Sequence, residues 1–139
     1  MKRIPLLALM GLLSGTAEAE PALLDDLVGV WAERDCSSPW NIVLILAHDG
    51  EGRLVDCTIR RPEGTCAPGI PPHRATVVER RGDRWHIEWE GGTVQDFRRN
   101  PDGTLSTLRV EMNGRISILD GYVVLGNRLT PTEPLVRCT

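Results

Sequence analysis

Arg84-Trp85-His86-Ile87-Glu88-Trp89-Glu90 alternates without a break, apolar at 85, 87 and 89 and polar at 84, 86, 88 and 90. Successive side chains on a strand point to opposite faces, so this stretch predicts a half-buried β-strand with one face on a core. Downstream, Leu108, Val110 and Met112 alternate with Arg109 and Glu111. Asn113-Gly114 then supplies the positive-φ pair of a tight hairpin, after which Ile116 and Ile118 resume the pattern. Further turn signals recur at strand-length intervals: Asp49-Gly50-Glu51-Gly52, Arg81-Gly82-Asp83, Gly91-Gly92, Asn100-Pro101-Asp102-Gly103, Asp120-Gly121 and Gly126-Asn127. The pattern predicts an all-β chain of eight or nine short strands. Hairpin-sized connections make sequential strands antiparallel neighbours, and such an up-and-down meander loses its open edges by closing into a small barrel. A two-sheet β-sandwich is the alternative.

Four stretches depart from this pattern. Ala22 to Leu27 has room for one helical turn, too short to be stable without packing. Cys66-Ala67-Pro68-Gly69-Ile70-Pro71-Pro72-His73 carries prolines that cannot serve an interior ladder, so it reads as a surface excursion. Ile42 to Ala47 is apolar on both faces, as is most of Tyr122 to Leu125, whereas a barrel strand in water needs only its inner face apolar. The outer face therefore needs a cover: the N-terminal turn, the proline-rich excursion, or a second copy docked on Ile42–Ala47 as a homodimer. The two intramolecular covers rank ahead of the third.

The chain has 139 residues, enough for one domain, with 41% hydrophobic and 25% charged residues, which fits a globular fold and excludes disorder. Lys2 and Arg3 precede an apolar run from Ile4 to Leu13, and Ala17-Glu18-Ala19 is a small-x-small cleavage site. Residues 1–19 thus read as a cleaved signal peptide and 20–139 as a single β-barrel domain, periplasmic or secreted. The apolar run is about half of the roughly 20 residues needed to cross a bilayer, so no membrane span is expected. Four cysteines lie in the exported part, an even number suited to an oxidising compartment. The preferred pairing joins Cys57 to Cys66 across a turn and Cys36 to Cys138 as a long clamp. A bridge enclosing about 100 residues restricts the unfolded chain by up to ~4.7 kcal/mol in the chain-entropy model. No Cys-x-x-Cys or His-x-His pair is present and the histidines are scattered, so no metal is expected. Net charge is −3, and loss of the leader makes it one unit more negative, which implies no nucleic-acid partner.

Leu27-Val28-Gly29-Val30-Trp31, a Gly-x-Trp on the first strand after a short turn, resembles the opening of calycin-like barrels: lipocalins, avidins and bacterial metalloprotease inhibitors of the same plan. The resemblance covers about one strand. It implies a small closed barrel in which Trp31 packs inside and closes one end. Trp85 and Trp89, four apart on a central strand, are loosely similar to the paired tryptophans of avidin strands. The polar ligand-contacting set of avidins has no match here, so no biotin site is implied.

Tryptophan dominates the aromatic residues, and the rings read first as core filling. In the functional alternative, Trp85 and Trp89 line a pocket for an apolar or cationic group. Arginine pairs end three strands: Arg60-Arg61, Arg80-Arg81 and Arg98-Arg99. If strands alternate in direction, Arg80, Arg81, Arg98 and Arg99 share one rim, with Arg84 nearby, and can receive a carboxylate or phosphate. The plainer reading is that charged strand ends resist edge aggregation and pair with neighbouring acids. His86, Glu88 and Glu90 share one face, chiefly as a solvated surface. No Gly-x-Ser-x-Gly, His-Glu-x-x-His or phosphate-cradling glycine loop occurs. The best-supported class is an exported, non-enzymatic binding module for a small amphipathic or anionic ligand, without a cofactor. An inhibitor or partner-binding protein of the cell envelope is the alternative, and an enzyme fits least.

The exported product is expected to begin at Glu20 and to carry no free thiol. Intact mass after denaturation and alkylation without reductant checks both; two or more alkylated thiols contradict the second.

Overall fold

The computed structural model describes residues 25–57 and 72–138. Eleven strands form one antiparallel sheet: β1 Gly29–Glu33, β2 Ile42–His48, β3 Leu54–Asp56, β4 His73–Arg81, β5 Arg84–Trp89, β6 Val94–Arg99, β7 Leu105–Met112, β8 Arg115–Leu119, β9 Tyr122–Leu125, β10 Arg128–Pro131 and β11 Leu135–Arg137. Strands β1 to β7 pair in sequence, and β11 inserts between β7 and β1 to close an eight-strand barrel. The architecture is the expected up-and-down barrel and is compatible with a calycin-like one. The expected strand number omits a feature, however. β7 is long, and only its first residue, Leu105, pairs with β11; its later residues pair with β8, which continues through β9 to β10. The sheet forks there, and β8–β10 stand off the barrel as a three-stranded wing.

Turn chemistry explains the hairpins. Asn113-Gly114 and Asp120-Gly121 both adopt positive φ at two successive residues (53° and 77°; 52° and 82°), the backbone of a two-residue hairpin whose twist matches the strands it joins. Four one-residue register breaks bend the sheet, with Val43, Thr76, Leu108 and Ser117 as the extra residues. Such bulges increase local twist, which a small barrel needs to close. The break at Leu108 also corrects the simple alternation of β7: Leu108 joins Arg109 in lining an outer groove, while Val110 keeps the inner face.

Inside, Leu27, Trp31, Leu46, Trp85, Ile87 and Phe97 are all but fully buried in one cluster that Leu44, Trp89, Leu105 and Leu135 complete. Trp31 sits at one end of it. Its indole Nε1 donates to the Leu27 carbonyl at 2.8 Å, and the guanidiniums of Arg99 and Arg137 lie 5.6 and 5.2 Å from its ring centre. Arg99 in turn donates to the Asp26 carbonyl, and Arg137 to those of Asp25 and Val28. Trp31 therefore closes the barrel end as the resemblance implies. Gly29 begins β1 at a φ of 152°, a conformation that side-chain-bearing residues rarely adopt, which accounts for the glycine of Gly-x-Trp.

A second cluster lies on the outside of the same wall. Val30, Ile42, Ile45, Val55 and Cys57 are buried there, with Val136 and Cys138 packed on them. Burial within a single chain means this face is covered without a second copy. Cys36 and Cys138 are bonded, 102 residues apart, as expected and compatibly with an oxidising compartment. Cys57 is disulfide-bonded too; its expected partner Cys66 lies outside the described residues, as do the signal segment, Arg60-Arg61 and most of the proline-rich excursion. No helix among the described residues is long and apolar enough to cross a membrane.

Because Trp31 is buried and tied to the turn before β1, Trp31→Ala is expected to lower unfolding free energy by about 3–5 kcal/mol. Urea midpoints of the two proteins, compared at equal slope, measure the loss.

Candidate functional site

Register across β4 to β7 aligns the outward side chains into rows. Arg81 lies opposite Arg84, and Arg84 opposite Arg98, so three arginines are consecutive cross-strand neighbours on β4, β5 and β6. Directly opposed side chains have Cβ atoms about 4.5–5.5 Å apart, and like charges in that position destabilise a sheet. Among the described residues, none of the three has a carboxylate partner; Arg98 donates through Nε to the Asn100 side chain at 3.3 Å. The row two residues along is Glu79, His86, Asp96, Arg109 and Leu119, again in register.

The wing turns this wall into a groove. Leu119 and Asp120, at and just after the end of β8, line a hollow of about 570 Å³ together with Arg81, Arg84 and Arg98 of the wall, Leu108 and Arg109 of β7, and the acidic Glu79. Leu119 and its hairpin partner Tyr122 are both more than two-fifths exposed, so the wing side of the hollow presents an open apolar side chain, Leu119, beside the acidic Asp120. A smaller hollow of about 360 Å³ lies at the fork itself, where Phe97 of the barrel meets Val110, Ile118 and Val123, with Glu33 and Arg34 also lining it.

His86 organises the second row. Its Nδ1 is 2.5 Å from Asp96 Oδ1 and its Nε2 is 2.8 Å from Glu88 Oε2. Both ring nitrogens thus face carboxylate oxygens, an arrangement that favours the protonated ring with two donors. Burial alone lowers its pKa, but the hydrogen bonds and charges of Glu88 and Asp96 outweigh burial, and the net shift is upward. Beside it, Arg109 pairs with Glu111. Since both ring nitrogens are engaged, His86 is an electrostatic and positioning group rather than a base open to a ligand.

The sequence-derived candidates separate into two sets. Arg81 and Arg98 point into the groove and meet there, joined by Arg84. Arg80 and Arg99 belong to the opposite face: Arg80 covers the Trp85 ring at 5.7 Å, and Arg99 covers Trp31. The expected rim of four guanidiniums is thus divided, because adjacent residues on a strand face opposite ways. Trp85 and Trp89 are both core residues, 2% and 5% exposed, with Trp89 Nε1 donating to Gln95 at 2.8 Å. Arg109, Leu108 and Leu119 were not among the site residues read from the sequence, and Asp96 was not joined to His86 and Glu88, which the alternation put on one face. Strict alternation in 84–90 placed Arg84 and His86 on one face, but their cross-strand partners are set by the β4–β5 and β5–β6 pairings, which local alternation does not reveal.

A histidine whose pKa is raised on folding adds stability in full below its unfolded value, about 6.5, and loses it as pH climbs through the higher folded value. Urea midpoints are expected to fall over that window in the native chain, and His86→Gln should remove this component of the fall. The effect is modest, since the side chain is about one-third exposed. No family model, curated protein or solved structure matches this chain, so the groove is read from its own chemistry.

Proposed function

We propose that this protein is an exported, non-enzymatic binding module of the calycin-like plan that holds a small anionic molecule in the groove between the β4–β7 wall and the wing. The observation that carries the reading is the in-register row of Arg81, Arg84 and Arg98 facing an open hollow without carboxylate partners among the described residues. Three neighbouring guanidiniums repel one another, and an anion that all three reach relieves that repulsion while gaining forked, charge-assisted hydrogen bonds. One row away, His86 is bonded to Asp96 and Glu88, and Arg109 to Glu111, so these cations are already paired and hold the floor of the groove in place. Leu108 and Leu119 offer apolar surface to the rest of the ligand. The core tryptophans support the site from beneath.

A partner-binding role in the cell envelope is the second reading. It is favoured by the exposed apolar side chains Ile116, Leu119, Tyr122, Leu125 and Leu129, which all lie on the wing.

Thermal unfolding in acetate, benzoate, phosphate and sulfate, each compared with chloride at matched ionic strength, tests the first reading. An anion at about ten times its dissociation constant adds roughly 1.4 kcal/mol, a shift of several degrees. At least one of these anions is expected to stabilise the native chain but not Arg84→Gln. In chloride, Arg84→Gln should lie within about 0.5 kcal/mol of the parent, because the side chain is exposed and lies between two like charges. Equal stabilisation of both proteins by every anion overturns the reading.

A further inference from the structure

We infer that the group this groove accepts is a phosphate monoester in its dianionic form, carried on a small organic body; the inference rests on the anion-binding reading above. Three features of the wall select for it. The first is the number and spacing of the guanidiniums. Arg81, Arg84 and Arg98 occupy three adjacent strands at one level, so their positions span about 10 Å, and all three line the same hollow. A planar carboxylate has one charge and two oxygens in one plane, which satisfies a single fork and leaves two guanidiniums uncompensated. A phosphate monoester presents three terminal oxygens in different directions and close to two charges.

The second feature is where the unbalanced charge lies. One row along, His86 is bonded to Asp96 and Glu88, and Arg109 to Glu111, so the cations of that level are already paired within the protein, while Glu79 and Asp120 add carboxylates to the lining of the same hollow. Demand for an anion is therefore concentrated at the arginine row. Rows two residues apart are separated by about 6.6–7 Å, which puts the paired level within reach of the ligand body rather than its charged head. The third feature is the wing. Leu119 lines the far side of the groove, beside Leu108, and Tyr122 is the cross-strand neighbour of Leu119. An ester whose phosphate sits on the arginines thus has an apolar wall for its organic part, and a hollow of about 570 Å³ suits a molecule larger than a free ion.

Three probes with the same ring separate charge from shape. Phenyl phosphate is a tetrahedral dianion near neutral pH, phenyl sulfate a tetrahedral monoanion, and benzoate a planar monoanion. Calorimetric titration of the full exported chain is expected to show phenyl phosphate binding at least about tenfold more tightly than either monoanion, since the second charge acts on three guanidiniums at once. Arg84→Gln and Arg98→Gln, both at surface-accessible positions, should each remove most of that preference. At about pH 5, where the dianion has taken up one proton and become a monoanion, phenyl phosphate should fall to the level of phenyl sulfate.

The two sources of such a group are a soluble ester and a lipid headgroup. Vesicles containing phosphatidic acid, against vesicles containing phosphatidylglycerol at equal content, distinguish them. Arginine-dependent recruitment to the phosphatidic acid vesicles assigns the lipid, and binding of phenyl phosphate without recruitment assigns the soluble ester. Equal affinities for phenyl phosphate, phenyl sulfate and benzoate overturn the phosphate assignment while leaving the anion site standing. Absence of binding by all three probes and both vesicles overturns the site along with it.

Discussion

Everything in this fold depends on a tryptophan packed inside one end of a barrel and held there by two arginines. Trp31 is fully buried, and Arg99 from β6 and Arg137 from β11 meet its ring while their guanidiniums reach backbone carbonyls of the turn before β1. Three parts of the chain far apart in sequence are thereby fastened at one point. Each cation–π contact contributes about 0.5–2 kcal/mol according to its desolvation. The cost is visible in Arg137, whose pKa is lowered first by burial and then by the nearby Arg99 charge. The Cys36–Cys138 bridge ties the connection that follows β1 to the residue just after β11, and β1 and β11 are themselves paired.

Closure by β11 also creates the groove. β11 is only three residues long, and it occupies the edge of β7 at Leu105 alone. The rest of that edge is free to take β8, so β8–β10 leave the barrel and fold beside its outer wall. A meander that simply closed on its last hairpin would expose the arginine row on a plain convex surface. The fork supplies the second side, and with it the apolar residues that a surface row of charges lacks.

Much of the fold was legible in the primary structure because its signals are local. Alternation at 84–90 depends only on the two-residue period of a strand, and Asn113-Gly114 only on the positive φ of a tight turn. Trp31 was legible through Gly29, which the backbone needs at the start of β1. The paired cysteines Cys36 and Cys138 were legible from parity and position. The site was half legible: Arg81 and Arg98 were named, but Arg80 and Arg99 were grouped with them by proximity in sequence. Strand geometry then divides each pair, one arginine to the groove and one onto a tryptophan.

What the sequence by itself determined is therefore the kind of chain this is: all-β, antiparallel and disulfide-clamped, with aromatic residues turned inward and arginines at strand ends. Those properties follow from side-chain periodicity, turn chemistry and cysteine number, each acting over a few residues. Tertiary structure alone decided which charges meet. The row of Arg81, Arg84 and Arg98 exists because the β4–β5 and β5–β6 hairpins hold three strands in one register, and a shift by one residue would turn each of those side chains to the other face. Likewise His86 finds Asp96 ten residues away only through the β5–β6 pairing, and Leu119 faces the arginines only because β7 outlasts its partner β11.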